Sequence, residues 1–279
     1  MADISLSAGI RSNLLSLQST ASLLSQTQSR LGSGKKVNSP IDNPTNYFTA
    51  EALKNRSSDL TARLDGIAKG INTLKAADAG IKGIKSLISQ AKGIANDARA
   101  LSTDTADTQA QADRSALSVR FDTIRTQIDE LSADSNYDGV NLLAGDDLTV
   151  EFGEKIGSST IDLEGFDATS GGDLGIAAAA NAFGANTDVD AAIADLQNAE
   201  GTLRTEAKTL SANLGVLSTR QEFTKTLANT LTSGADDLTN ADLNTEAANL
   251  LALNTQQSLG VNSLSLASQA SQSVLRLLQ

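Results

Sequence analysis

The chain has 279 residues, a formal charge of −11, no Cys, no His and only 3% aromatic residues, with no Trp among them. Without thiol or imidazole there is no cysteine nucleophile, no imidazole acid–base catalyst and almost no zinc, haem or iron–sulfur chemistry. The acidic balance excludes nucleic-acid binding by counterion release. So few aromatics cannot furnish the core of a large globular enzyme, whereas abundant Ala, Leu and Gln lose little side-chain entropy in long helices. No apolar run approaches the ~18 residues of a membrane span, so no membrane insertion is expected. Met1–Thr20 has neither a basic start nor a continuous apolar core, so a cleaved signal peptide is not expected.

In chain order, the first helix is predicted from the seam Ile10, Leu14, Leu17, Ala21, Leu24, Gln28, Leu31, whose steps of four and three put one stripe on one face. Gly32-Ser33-Gly34 ends it, with Gly34 suited to a helix C-terminus. Asp42-Asn43-Pro44 starts the next: either Asp42 or Asn43 can cap, and Pro44 fits the first helical position. The second seam runs Leu60, Leu64, Ile67, Ile71, Leu74, Asp78, Ile81, Lys85, Ile88. Its Asp78 and Lys85 are either register-setting polar rungs or residues at the seam's edge, the second being the expectation. A third helix, capped by Thr103-Asp104 or by Asp107, carries Leu117, Phe121, Ile124, Ile128 and Leu131.

Asn136-Tyr137-Asp138-Gly139 reads as a turn. Leu148–Phe152 and Thr160–Leu163 alternate as two short strands, and residues 165–187 read as irregular. A long helix follows over residues 189–232. Its Leu196, Leu203, Leu210, Leu217 and Leu231 fall on one seven-residue grid, with Thr224 filling the gap. Gly234 is expected to break it. A last helix from Ala241 carries the seam Leu243, Ala247, Leu250, Asn254, Gln257, Val261, Leu264, Ser268, Ser271, Leu275, Leu278. The fold class is therefore mainly α: long antiparallel helices in a coiled-coil or bundle-like rod, with a small β-containing central insert.

The two ends differ from the rest in charge. No charged residue lies between Arg11 and Arg30, and Arg276 is the only one from Ala247 onward. Solvated helices carry charges on their outer face; these carry Ser, Thr, Asn, Gln and Ala, as a face to be covered would. Burying a large aliphatic side chain contributes about 2 kcal/mol. Ordering a residue costs about 1.5 kcal/mol, and a helical hydrogen bond returns about 1 kcal/mol. Two helices that bury one stripe each are near break-even alone, so they are expected to be loose in the monomer and to order on assembly.

Three blocks carry a family resemblance. Arg30-Leu31-Gly32-Ser33-Gly34-Lys35-Lys36-Val37-Asn38-Ser39-Pro40-Ile41-Asp42-Asn43-Pro44 resembles the bacterial flagellin signature that joins the first helix to the second. Asn136-Tyr137-Asp138-Gly139-Val140-Asn141-Leu142-Leu143 resembles the flagellin turn that ends in paired leucines. Asp242-Leu243-Asn244-Thr245-Glu246-Ala247-Ala248-Asn249-Leu250, with the Gln-rich helix after it, resembles the flagellin C-terminus. The match covers roughly residues 1–145 and 189–279, and is similar to flagellins of alphaproteobacterial type with a short central region.

The resemblance implies a subunit that polymerises with itself into the flagellar filament for motility. Residues 1–44 and 235–279 would form the inner coiled-coil tube and linker, 45–143 and 189–234 the helical rod, and 144–188 the outer segment. The implied assembly interface is Ile10, Leu14, Leu17, Ala21, Leu24, Leu31, Leu243, Leu250, Val261, Leu264, Leu275 and Leu278. Gly34, Asn38, Asp42, Asn43 and Pro44 would be the linker and cap. Export apparatus, a flagellin chaperone and cap or junction proteins are implied partners, the location is the extracellular flagellum, and no cofactor or enzymatic activity is implied. The stretches Ser89–Ile94 and Ala116–Ser118 lack the charge pattern that an innate immune receptor reads in other flagellins, so that role is not carried over.

The alternatives are a hook–filament junction protein and a surface polysaccharide-binding homologue. The second is poorly supported with only Tyr47 and Tyr137 as tyrosines. Two local motifs mislead. Asp134–Gly139 opens like a calcium loop, but its twelfth position is Gly145 where a bidentate Glu is required. Gly32–Lys36 hints at a phosphate loop, but it follows a helix and no Ser or Thr follows the lysine.

Overall fold

The computed structural model describes residues 8–154, 157 and 159–277. Five long helices and one small sheet follow in order: α1 (Ala8–Ser33), α2 (Pro44–Ala100), α3 (Thr108–Asp134), β1 (Leu148–Glu151), β2 (Thr160–Leu163), a tight turn at Ala180–Phe183, α4 (Asn186–Thr239) and α5 (Leu243–Leu277). The mainly helical class with a small β insert is what the structure has. The described residues divide into two compact units, one from Met1–Arg56 with Asn229–Gln279 and one from Ser57–Ala228.

The second unit holds the main core. On α2, Leu60, Ile67, Leu74, Ile81, Ile88 and Ala95 are buried at seven-residue spacing, and Ala77, Ile84, Ala91 and Ala98 form a second grid beside them. The seam therefore passes through Ala77 and Ile84. Asp78 and Lys85 sit at its edge, and Asp78 pairs with Lys82 at 2.6 Å one turn on. On α4, Leu196, Leu203, Leu210, Leu217, Thr224 and Leu231 are all buried, so the grid includes its threonine as expected. On α3, Phe121 and Ile128 are fully buried.

Small residues on α2 let other elements approach closely. A Cβ at Gly70 would lie 2.7 Å from Val150 of β1, and one at Gly80 would collide with Ser135 and Leu143. The hairpin pairs antiparallel in the register Leu148↔Leu163 and Val150↔Ile161. Arg63 ties it to α2 through Glu151 at 2.7 Å. The predicted turn is formed by mutual backbone bonds between Tyr137 and Val140. Asp138 (φ 53°) and Gly139 (φ 84°) are both left-handed, as a type I′ turn requires. Just after it Asn141 caps α3: its amide donates to the Ser132 and Ala133 carbonyls at 2.8 and 3.0 Å.

Two features lie outside the sequence reading. Gly234 does not end α4, which runs on to Thr239. A glycine inside a helix costs about 1 kcal/mol relative to alanine, and here buried Leu231, Ala235 and Thr239 on the same face outweigh that cost. The other is Arg114, the largest fully buried side chain. Its guanidinium donates to the Phe183 carbonyl, to the Ala98 and Leu101 carbonyls at 2.7 and 3.0 Å, and to Asn186 Oδ1 at 3.2 Å. It thereby caps the C-terminus of α2, where carbonyls lack helical partners. It also ties that end to the Ala180–Phe183 turn and to the start of α4.

Candidate assembly interface

In the first unit, α1 and α5 pack antiparallel. Asn13 donates to Ser263 at 3.4 Å, Leu17 packs on Gly260, and Arg30 pairs with Glu246 at 3.2 Å. Gly260 has room for nothing larger in this geometry, since a Cβ there would lie 2.8 Å from Leu17. The α1 face against α5 consists of Ile10, Asn13, Leu17, Thr20, Leu24, Thr27 and Leu31, half-buried except for Thr20 and Thr27, which are buried. The α5 face is Glu246, Leu250, Leu253, Gln257, Gly260, Leu264 and Ala267.

Both helices keep one grid of the expected seam and shift the other by a single residue. Ile10, Leu17, Leu24 and Leu31 on α1, and Leu250, Gln257 and Leu264 on α5, are half-buried as the stripe required. Leu14 (41% exposed), Ala21 and Val261 (54%) are left outside, their places taken by Asn13, Thr20 and Gly260, and Leu243 (50%), the first residue of α5 on the kept grid, is exposed as well. Further leucines face away from the seam: Leu15 (66%), Leu251 (70%), Leu259 (64%) and Leu266 (68%). Among the described residues, no apolar side chain of α1 or α5 is buried, while the chain's apolar core runs from Val37 to Ala235. Leu278 lies outside the described residues, and so does the side chain of Leu275.

The linker is built from backbone pairing and one carboxylate. Gly34 adopts φ 69°, which ends α1. The chain then pairs with the α4–α5 junction: Lys36 N–H donates to the Thr239 carbonyl at 2.8 Å, and Ala241 N–H to the Gly34 carbonyl at 2.9 Å. Asn38 donates its side-chain amide to Ser33 Oγ at 2.8 Å. Asp42 Oδ2 accepts the N–H groups of Asn38 and Ser39, each at 2.9 Å, and the Ser39 hydroxyl. Those backbone donors, that of Asn38 foremost, hold its carboxyl below the usual aspartate value of 3.8. Asn43 is the cap of α2, accepting from Asn46 N–H at 3.0 Å, and Pro44 takes the first helical position.

Across the junction Asp242 caps α5. It accepts from the Thr245 hydroxyl and from the N–H groups of Thr245 and Asn244, with the hydroxyl the main reason its carboxyl also lies low. The structure thus brings Gly34, Asn38, Asp42, Asn43 and Pro44 into one junction. The Arg30–Glu246 pair was not singled out from the sequence. A signal existed: these are the charges that bound the two charge-free runs on the inner side.

Comparisons with known proteins agree with this architecture. The model of the bacterial flagellin N-terminal helical region matches residues 5–147, and that of the C-terminal helical region matches residues 186–278. Flagellin FljK of Caulobacter vibrioides is 30% identical over 98% of this chain and 97% of its own. A flagellin of Brucella melitensis is 27% identical over 99% of both chains. A solved structure described as a flagellar hook-associated protein from Vibrio parahaemolyticus superposes with a TM-score of 0.59 at 14% identity, covering 71% of this chain and all of that one, a likeness of fold. With both family models matched in chain order and a relative aligned nearly end to end, the chain belongs to the bacterial flagellin family.

Proposed function

We propose that this flagellin builds its filament through α1 and α5, whose outward rungs pack on neighbouring copies. As a family member it is a structural subunit of the extracellular flagellar filament. In our reading residues 1–44 and 235–279 form the inner tube and linker, 45–143 and 189–234 the surrounding rod, and 144–188 the outermost segment. The interface comprises Ile10, Leu14, Leu17, Ala21, Leu24, Leu31, Leu243, Leu250, Val261, Leu264, Leu275 and Leu278. No catalytic role is assigned.

One observation carries this reading: no apolar side chain of α1 or α5 is buried among the described residues, although both helices are nearly free of charge. A pair that leaves Leu14, Leu15, Leu251, Leu259 and Leu266 in water gains much of its burial only when neighbours cover them. The same thin seam supports ordering of these helices on assembly. By family analogy the chain leaves the cell unfolded through the flagellar export channel without a cleaved signal peptide, escorted by a flagellin chaperone, and meets cap and junction proteins at the filament ends.

Deletion of residues 1–34 or 247–279 tests the interface. Each truncate should be a folded, soluble monomer that forms no filament under the conditions in which the full chain does. Filaments from either truncate, seen by electron microscopy, would refute the role of the ends. Equal helix content by circular dichroism before and after polymerisation would refute ordering on assembly.

A further inference from the structure

We propose that Gly260 decides which face of α1 is hidden inside the chain: its notch takes Leu17 and so turns Asn13, Thr20 and Thr27 toward α5, leaving Leu14 and Val261 for a neighbouring copy. Their covering by a second copy rests on the filament reading above; the choice of face within one chain does not.

Two rolls of the helix pair compete, and Leu17 and Leu264 lie in the seam in both. In one roll Leu14 and Ala21 of α1 would face Val261 of α5; in the other Asn13, Thr20 and Thr27 face Gly260. The first would bury more apolar surface, which the hydrophobic effect favours. The structure has the second: Thr20 and Thr27 are buried, while Val261 stands 54% exposed. The hydroxyl rungs do not make that choice, since Thr20 donates to the Ser16 carbonyl within its own helix. Asn13 and Ser263 meet only through a long, exposed bond of 3.4 Å. Arg30 and Glu246 pair on this face, but at the junction end of the helices, near the paired backbone of Lys35 and Asn240.

Toward the far end of the described pair Gly260 is what remains, and its geometry is specific. It is the one glycine of α5. Alanine is the better helix former at an interior position, so α5 gives up helix propensity there. What it gains is contact. The Leu17 side chain lies on the α5 backbone, where a Cβ on residue 260 would stand 2.8 Å from Leu17 Cδ2 and 3.1 Å from Cγ. With the branch carbon that close, turning the terminal methyls alone makes no room, and Leu17 as a whole would have to withdraw. Beside the notch the helices leave a hollow of about 250 Å³ lined by Asn13, Ser16, Thr20, Gln256, Leu259 and Ser263. Packing around the notch is therefore thin, and the Leu17 contact carries the roll at this height.

The chain lacks cysteine, so introduced thiol pairs report the roll directly. In the full chain, Asn13→Cys with Ser263→Cys reports the hydroxyl face, and Leu14→Cys with Val261→Cys reports the leucine face. Each pair is oxidised under polymerising conditions, and the intrachain disulfide is read as a fast-migrating monomer on a non-reducing gel. With the notch intact, 13–263 should close in preference to 14–261. Gly260→Ala should shift that ratio toward 14–261 about tenfold or more, because a methyl forced into a filled notch favours the roll that does without it. Adding Leu17→Ala should shift it no further, since both changes act on one contact. Arg30→Ala, which acts at the junction end, should leave the ratio near the parent's. An unchanged ratio in Gly260→Ala would overturn the proposal, as would an equal shift in Arg30→Ala or a double variant whose shift is the product of the two single ones. Filaments from the end truncates would instead remove the assembly role of α1 and α5 and leave the 13–263 to 14–261 ratio as the readout of Gly260.

Discussion

Arg114→Met keeps the length and apolar stem of the side chain and removes its donors. In the structure those donors serve the Phe183, Ala98 and Leu101 carbonyls and Asn186 Oδ1, and the arginine is fully buried. A buried acceptor left without a partner costs about 1–3 kcal/mol. Two of the four bonds are fully buried and two partly so, which gives a gross loss of about 4–8 kcal/mol on that scale. Relief from burying a guanidinium returns part of this, since an ion moved out of water carries a penalty of several kcal/mol. The net expectation is about 3–5 kcal/mol of destabilisation for the Ser57–Ala228 unit. Urea unfolding followed by circular dichroism measures it: with a slope of about 2–3 kcal/mol per molar, the midpoint falls by more than about 1 M. Arg114→Lys keeps the charge but cannot reproduce the fork, and should fall between the two. A midpoint for Arg114→Met within about 0.2 M of the parent would refute the capping role.

Further outcomes follow from single positions. Asn181, Ala182 and Phe183 all have positive φ, and a non-glycine residue in that region costs about 1–2 kcal/mol; Ala182→Gly should raise the thermal midpoint by a few degrees, and a lower midpoint would exclude backbone strain there. Asp42 and Asp242 have folded values depressed below 3.8, so the stability they lend is present above that pH and is lost as pH falls through their folded values. Amide protection at Asn38, Ser39 and Thr245, taken relative to the intrinsic exchange rate at each pH, should therefore fall in that acid window, and Asp42→Asn should remove the response at the first two. Arg30→Ala leaves Glu246, 8% exposed, without its cation and should cost about 1–3 kcal/mol, the arginine's own exposure keeping it below a fully buried pair. Leu14→Ser should leave the monomer's unfolding unchanged and impair polymerisation, whereas Leu17→Ser should weaken both; identical behaviour of the two would contradict the assignment of their faces.

What was legible in the sequence is what repeats. The α4 grid from Leu196 to Leu231 was readable with its threonine included, because one polar residue among five leucines does not move a stripe. The hairpin and the Asp138-Gly139 turn were readable because alternation and a left-handed dipeptide are local signals. Gly234 misled because its propensity is local while its outcome was decided by buried neighbours. Arg114 was invisible for a related reason. Its partners lie 13 to 72 positions away, and a lone arginine in a helix reads as a solvated face until the carbonyls it caps are seen.

The end seams show why periodicity alone leaves an ambiguity. A 3–4 repeat that shares Ile10, Leu17, Leu24 and Leu31 can be completed on either side, by Leu14 and Ala21 or by Asn13, Thr20 and Thr27. Hydrophobicity favours the first, and α5 takes the second. Within one chain that choice is unfavourable, since it hides hydroxyls and leaves Leu14 in water. It becomes favourable if Leu14 and Ala21 are reserved for a second partner, because each helix then presents two stripes that share one edge. A hydroxyl seam also costs little to open: Thr20 satisfies itself on the Ser16 carbonyl at 2.9 Å whether or not α5 is present. The polar rungs thus hold the pair together loosely, and under the proposed assembly the apolar rungs would gain their burial where another copy adds the missing side of the seam.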